Sequence, residues 1–162
     1  MYYIGCDRTF NLTMETSSQN SEDFLYIMKT SPGHPQLGLG GVGYPSSLNC
    51  RWTFNAPATK RINLKFESID IQRCSSSNSA GQQPIGCDCD DVSIFDGKTR
   101  LAKACGTDGI YVVNNQRHSK LPAPIESTSN SLDITFKTDS SDQRRGFVAK
   151  ISLSGKLNWT FY

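Results

Sequence analysis

The sequence predicts an all-β protein, a two-layer antiparallel β-sandwich or jelly roll with almost no helix. Short segments alternate apolar and polar residues at period two, as strands with one buried face do. Turn residues separate these segments, and no segment has the apolar i, i+3, i+4, i+7 spacing of an amphipathic helix. A chain of 162 residues has the length of one domain. Its 36% of hydrophobic residues is low, as expected when half of each strand faces water.

The predicted strands follow one another at short intervals. Each is marked by an apolar run or by alternating apolar residues: Phe24–Met28; Cys50, Trp52 and Phe54; Ile62, Leu64 and Phe66; Val92 and Ile94; Ile110–Val113; Leu132, Ile134 and Phe136; and Phe147, Ala149, Ile151 and Leu153. Ile69 is out of phase with the strand before it, which predicts a bulge or a strand end. Asp96-Gly97 predicts a turn, because Gly tolerates positive φ and Asp bonds its own backbone.

The cysteine content indicates an oxidising compartment. There are six cysteines, an even number, in a chain rich in Ser, Gly and Asn. Two glycosylation sequons, at Asn11 and Asn158, agree with an extracellular location. A zinc site made of four of the cysteines is the less favoured alternative, because their spacing lacks paired Cys-x-x-Cys knuckles. The four are Cys74, Cys87, Cys89 and Cys105.

Charge and hydropathy exclude several classes of partner. The net charge of +2 implies no field for nucleic acid or for a membrane surface. No apolar run reaches the roughly 18 residues of a membrane span, so we expect no direct membrane insertion. Met1 is followed by Tyr-Tyr-Ile-Gly without a basic and apolar leader pattern, and we expect any signal peptide to have been removed.

No arrangement of residues points to catalysis. The two histidines, His34 and His118, lie in a turn-like and in a polar stretch, and no Gly-x-Ser-x-Gly motif occurs. Asp90 and Asp91 are adjacent, so on a strand they point to opposite faces and cannot flank one glycosidic bond. We therefore predict a protein that is not an enzyme.

A series of motifs falls in a fixed order between residues 24 and 153. They are Ser31-Pro-Gly-His-Pro35, Tyr44-Pro45, Leu48–Trp52 with Ala56-Pro57, Leu64-x-Phe66 through Asp70, Cys87-x-x-Asp90-x-Val92-x-Ile94-x-Asp96-Gly97, Cys105-Gly106, Ser129–Asp139 and Gly146-Phe147. In this succession the chain resembles the CUB domain family of extracellular β-sandwich modules. The resemblance implies a CUB-like domain over residues 24–155 with insertions at 36–43 and 75–86. Residues 1–23 are then an N-terminal extension tied by Cys6, and 156–162 a C-terminal tail or end strand.

The resemblance also implies how the cysteines pair. The first and second bridges of the family correspond to Cys6–Cys50 and Cys87–Cys105. Cys74–Cys89 is left as a third bridge, across the inserted loop. Separate partners for Cys87 and Cys89 are geometrically reasonable, because the two lie on the same side of a strand.

Many CUB domains bind calcium at one edge of the sandwich, and the resemblance implies such a site here. Its candidate residues are Asp90, Asp139, Gln72, Asp70 and Ser141, with Tyr44 in support. Gln72 stands where the family has Glu, and this matters because calcium takes six to eight oxygens and favours carboxylates. The alternative is a solvated acidic rim that Arg144 and Arg145 neutralise in part.

Two functional hypotheses follow from the resemblance. The first is a non-catalytic extracellular protein–protein interaction module that binds Lys or Arg side chains of a protein partner through acidic edge loops at Asp90 and Asp139, in a calcium-dependent manner if the ion binds. The second is a carbohydrate- or surface-binding module of the spermadhesin type, independent of calcium. For the second, the aromatic candidates are Tyr111, His118 and the tail Trp159-Thr-Phe161-Tyr162.

Overall fold

The chain forms strands and no helix in the residues that the structure describes. A computed structural model describes residues 6–13, 24–25, 43–74 and 86–154. Eleven strands are present in them: β1 Arg8–Asn11, β2 Phe24–Leu25, β3 Asn49–Asn55, β4 Arg61–Asp70, β5 Asp91–Asp96, β6 Thr99–Thr107, β7 Ile110–Val113, β8 Gln116–His118, β9 Ile125–Glu126, β10 Ser131–Lys137 and β11 Gly146–Ser154. None of these described residues forms a helix long and apolar enough to cross a membrane.

The strands are arranged in two sheets. One has seven strands in the order β1-β3-β10-β5-β6-β7-β8, and the other has four in the order β2-β11-β4-β9. Neighbouring strands are antiparallel, except that β1 runs parallel to β3. This confirms the all-β sandwich that the sequence predicts.

The aromatic core joins the two sheets through Phe147. This side chain lies on β11 of the four-stranded sheet and is buried. Its ring centroid is 5.4 Å from that of Phe136 on β10 and 6.5 Å from that of Trp52 on β3, both in the seven-stranded sheet. Phe66 of the neighbouring strand β4 adds a third edge contact at 6.0 Å. Apolar residues at alternating positions of β3, β4, β10 and β11 thus meet in one core.

The phase change near Ile69 arises from an irregularity in the pairing of β4 with β11. Phe66 is opposite Ala149 and Ser68 is opposite Val148, so Glu67 is an extra residue on β4. One extra residue inverts the alternation, which allows Ile69 to be buried like Phe66 although two residues, an even number, lie between them.

Four strands were not predicted from the sequence. β1 lies within the predicted N-terminal extension and has one apolar residue, Phe10, which stacks on Phe54 with ring centroids 5.1 Å apart. β6 buries Ala102 and Ala104, small residues that give little strand signal. β8 is fully exposed, and β9 has only two residues.

Several predictions fall outside the described residues. These are the strand residues 26–28, most of the two insertions (36–42 and 75–85), the tail 156–162, and the sequon at Asn158. The predicted domain boundaries therefore stay predictions.

All six cysteines are bonded in pairs. The bridges are Cys6–Cys50, Cys74–Cys89 and Cys87–Cys105, with Cα atoms 4.8, 5.7 and 5.6 Å apart. These are the pairs that the family resemblance implies. Because every sulfur is bonded to another, no thiolate is left for the alternative zinc site.

We predict that Phe147→Ala lowers the free energy of unfolding by about 3–5 kcal/mol, because it opens a cavity where the two sheets meet. Urea unfolding of the oxidised protein measures the change. Ile110→Ala is the matched control, since Ile110 is 41% exposed and its truncation should change stability by no more than about 0.5 kcal/mol. A similar, small effect for both variants would contradict the central role of Phe147.

Candidate functional site

Polar residues from four separate segments converge at one end of the sandwich. Gln72 follows the end of β4, Asp90 precedes β5, Asp139 follows β10, and Tyr44 precedes β3. With Ser141, these residues form what we call the edge cluster. Because β4 belongs to one sheet and β5 and β10 to the other, the edge cluster lies where the two sheets meet.

Asp90 is the buried centre of the edge cluster. Its side chain is 0% exposed. The Tyr44 hydroxyl donates a hydrogen bond to its Oδ2, and the backbone N–H of Asp139 donates one to its Oδ1 at 2.7 Å. Burial raises the pKa of the Asp90 carboxyl above its ordinary value, although these two bonds act in the opposite direction.

Tyr44 connects Asp90 to the end of β4. Its hydroxyl oxygen accepts a hydrogen bond from the backbone N–H of Gln72 at 3.2 Å while the hydroxyl donates to Asp90. Burial and the bond to Asp90 raise the pKa of Tyr44, so its hydroxyl stays protonated at neutral pH. The same side chain packs edge-on against Phe136, with ring centroids 5.1 Å apart, which ties the edge cluster to the core.

The backbone around Tyr44 is fixed against the end of β10. The hydroxyl of Thr138 accepts from the N–H of Leu48 at 2.8 Å and donates to the carbonyl of Pro45 at 3.0 Å. Tyr44 itself donates its N–H to the carbonyl of Arg144 at 2.9 Å. Sequence reasoning did not identify Thr138 as part of the site, and its only signal was its position directly before Asp139.

Polar groups of Gln72, Asp139 and Ser141 meet at the surface of the edge cluster. Asp139 Oδ1 accepts from the N–H of Ser141 at 2.7 Å. With its NH2 group turned inwards, the Gln72 carboxamide donates to Asp139 Oδ1 at 3.3 Å and to the Ser141 carbonyl oxygen at 3.0 Å. Rotated by 180°, the carboxamide places its oxygen there, and three oxygens then converge. The first arrangement is satisfied by hydrogen bonds alone, whereas in the second a cation would offset the repulsion between the oxygens.

The other two acidic residues at this end, Asp70 and Asp142, are paired with arginines. Asp70 Oδ2 accepts from the backbone N–H of Arg145 at 3.3 Å and is 3.8 Å from its Nε. Asp142 pairs with Arg144 at 2.9 Å. Partial neutralisation by the two arginines therefore applies to Asp70 and Asp142 rather than to the edge cluster.

The aspartates on either side of Asp90 do not join the edge cluster. Asp88 is exposed, and Asp91 accepts a hydrogen bond from Ser93 at 2.5 Å and lies 3.9 Å from Lys103 Nζ. The edge cluster thus has two carboxylates. In agreement, no group of three or more His, Cys, Asp or Glu side chains within the described part of the chain has the geometry of a metal site.

Comparison with known proteins identifies the fold family. A sequence profile described as "CUB domain" matches residues 26–151. Tolloid-like protein 1 of Mus musculus is 32% identical over 124 residues, which cover 74% of this chain and 10% of the relative. Neuropilin-1 of Rattus norvegicus is 32% identical over 140 residues, which cover 84% of this chain and 13% of the relative. The chain thus spans about a tenth of the length of these relatives.

A solved structure also matches. The structure of the MASP-1 CUB2 domain bound to Ca2+ has a TM-score of 0.50 and 26% sequence identity, and the match covers 67% of this chain and 80% of that chain. The matching proteins are extracellular or have CUB domains in membrane ectodomains, which confirms the extracellular location predicted from the cysteines.

We predict that Tyr44→Phe lowers the free energy of unfolding at neutral pH by about 1–3 kcal/mol, because a buried carboxylate loses a donor. This loss of stability should become smaller as the pH falls. The folded pKa of Asp90 is raised and removing the hydroxyl raises it further, so the charged form is penalised in the folded state only above that pKa.

Urea unfolding with a chelator at neutral pH and at about pH 4, near the unfolded pKa of Asp, measures this difference. The half-buried Tyr111 supplies the matched control, Tyr111→Phe. An equal loss for Tyr44→Phe at both pH values would exclude Asp90 as its cause.

Proposed function

The chain belongs to the CUB domain family, and we propose that it is a non-catalytic, extracellular protein-interaction module. Its edge cluster binds a calcium ion and, with Asp142, presents acidic oxygens to Lys or Arg side chains of a protein partner. The observation that carries this proposal is the convergence of the Gln72 carboxamide, the Asp139 carboxylate and the Ser141 carbonyl oxygen beside a fully buried Asp90.

The residues of the edge cluster fit a hard cation. They offer oxygen donors only: the carboxylates of Asp90 and Asp139, the carboxamide oxygen of Gln72 and the carbonyl oxygen of Ser141. Calcium binds carboxylate, amide and carbonyl oxygens together and completes its shell with water. The raised pKa of Asp90 supports this as well, because an adjacent cation favours the charged carboxylate.

A bound calcium ion would supply positive charge that holds the loops after β4 and β10 together. The chain's own residues then recognise the partner. Asp139 is partly exposed, and the Asp142 side chain is 51% exposed, so both reach solvent. Carboxylate oxygens at such positions accept charge-assisted hydrogen bonds from an ammonium or guanidinium group. The contact should weaken with chelator and with salt.

Gln72 should make the site weaker than one with three carboxylates. An amide oxygen offers no full negative charge, and calcium affinity rises with the number of charged ligands. When no calcium is present, the NH2 group of Gln72 can bond to Asp139 and Ser141, so the amide stabilises the empty arrangement. Both effects lower the affinity.

We predict that calorimetric titration of the oxidised protein gives one calcium per chain, and that Gln72→Glu tightens binding about tenfold or more, equivalent to about 1.4 kcal/mol. Asp139→Asn and Asp90→Ala should lose the binding heat. Asp139→Asn is the more informative of the two, because Asp139 is only partly buried and its loss should spare the fold.

The control is Asp108→Asn, which removes one acidic charge from the turn between β6 and β7 and should not affect calcium affinity. Absence of binding heat in both the wild type and Gln72→Glu would exclude calcium. Binding of N-acetyl-lysinamide, but not of its norleucine analogue, at the Asp139 and Ser141 backbone amides would then test the acidic surface separately.

A second candidate function is carbohydrate or surface binding, independent of calcium. Tyr111 on β7 lies directly opposite His118 on β8 at an edge of the seven-stranded sheet. A half-buried tyrosine ring opposite an exposed histidine ring suits stacking against a sugar ring. A glycan array with and without chelator distinguishes the functions, because binding that survives chelation and is lost in Tyr111→Ala would favour this candidate.

A further inference from the structure

Three arginines come together beside the edge cluster. Arg73 lies between Gln72 and the bridged Cys74, and Arg144 supplies the carbonyl that accepts from Tyr44. Ile71 pairs with Gly106 through two backbone hydrogen bonds of 2.9 Å, which brings the end of β4 next to β6. Arg117 lies on β8, two strands away from β6 in the same sheet. It is opposite Val112 of β7, which is itself opposite Cys105 of β6.

The arginines interact electrostatically. Burial lowers the pKa of the Arg73 guanidinium, and the positive charges of Arg117 and Arg144 lower it further. A lowered pKa is unusual for an arginine, since the carboxylate that arginines commonly have as a neighbour would raise the pKa. The local charge at Arg73 is therefore positive and uncompensated.

Buried donors at this place lack acceptors. Arg73 Nη1, Arg144 Nε and Gln143 Nε2 are buried and make no hydrogen bond within the part of the chain that the structure describes. Arg144 uses only Nη2, which donates to Asp142. A buried donor that is left unpaired is unfavourable, and more so when it is charged, so such groups commonly mark a place where a ligand binds.

The described carboxylates next to these arginines are already paired. Asp70 lies 3.8 Å from Arg145 Nε, and Asp142 accepts from Arg144 Nη2 at 2.9 Å. A carboxylate of another molecule would supply the acceptors that Arg73 Nη1 and Arg144 Nε lack among the described residues.

We propose that Arg73 and Arg144 form a binding site for a carboxylate side chain of a protein partner. The planar guanidinium fork matches a carboxylate in two parallel hydrogen bonds. The Arg144 side chain is 41% exposed and Arg73 is partly exposed, so a turn of either guanidinium brings its unpaired donor to the surface. The bridge of Cys74 fixes the backbone directly after Arg73.

A single carboxylate suits this site better than a sulfated glycan. Asp139 and Asp142 are close enough to Asp90 to raise its pKa, and Asp70 and Asp142 act on Arg144 in the same way. These carboxylates would repel a chain of many negative charges, whereas one carboxylate brings one charge. We place the acidic group on the same partner that binds Asp139 with a Lys or Arg side chain. This part of the proposal rests on the proposed function.

The test uses N-acetylglutamic acid α-amide as the probe, with the oxidised wild-type chain in chelator. The Nε–Hε resonances of the arginines are followed by NMR. We expect saturable shifts at Arg73 and Arg144 and none at Arg100, an exposed arginine on β6. Arg73→Lys and Arg144→Lys should each weaken binding about fivefold or more, because lysine keeps the charge but lacks the fork; Arg100→Lys should not.

The uncharged N-acetylglutaminamide at equal ionic strength is the matched ligand control. Equal shifts with both compounds, shifts at every arginine, or no saturable shift would overturn the proposal. A heparin-derived oligosaccharide that moves the same resonances at lower concentration would overturn the choice of a protein carboxylate. Because calcium is absent throughout, a negative result here is distinct from failure of the calcium site, and the wild-type spectra decide even if a variant does not fold.

Discussion

The fully buried carboxylate of Asp90 is the constraint on which this end of the sandwich depends. A buried charge is tolerated only when donors are fixed around it. Here the donors come from Tyr44 and from the backbone of Asp139, 46 and 49 residues away in sequence. Both donors have to be held in place, and the hydrogen bonds of Thr138, which lies directly before Asp139, connect it to the segment after Tyr44. The disulfide of Cys89 fixes the backbone directly before Asp90. The position of the surface residue Asp139 is therefore set by its backbone hydrogen bond to the buried carboxylate of Asp90.

Asp90 directly precedes β5 and Asp96 ends it, and their surroundings shift the pKa values of these two carboxyls in opposite directions. Asp96 is partly exposed; burial acts to raise its pKa, but hydrogen bonds from Ser129 and Thr128 outweigh it and lower the pKa to about 2. Asp96 therefore stabilises the fold above its unfolded pKa near 4, and that contribution is lost as pH falls towards 2. Asp90 has fewer donors and no exposure, so its charge opposes folding above its raised pKa. A fall in pH should thus remove the stabilising contribution of Asp96 and also remove the unfavourable buried charge of Asp90.

Period-two patterns were sufficient to predict the strands that build the core, because β3, β4, β10 and β11 each bury large residues on one face. β6 and β8 could not be predicted, since alanines and exposed polar residues carry no such pattern. For the site, the family motifs supplied Asp90, Asp139 and Tyr44, but not their contacts. The pairing of Asp70 with Arg145 and the approach of Gln72 to Ser141 depend on where β4 ends and β11 begins, which no local signal encodes.

Arg144 belongs to both charged surfaces at this end of the molecule. Its carbonyl holds Tyr44, one guanidinium nitrogen pairs with Asp142, and another is buried without an acceptor. A partner that neutralises Asp142 with a basic group would compete for that pair and release the guanidinium of Arg144 for an acidic group. The two recognition steps are then coupled through one side chain. A uniformly charged competitor would be repelled at one of the two positions, so the adjacent opposite charges favour specificity over affinity.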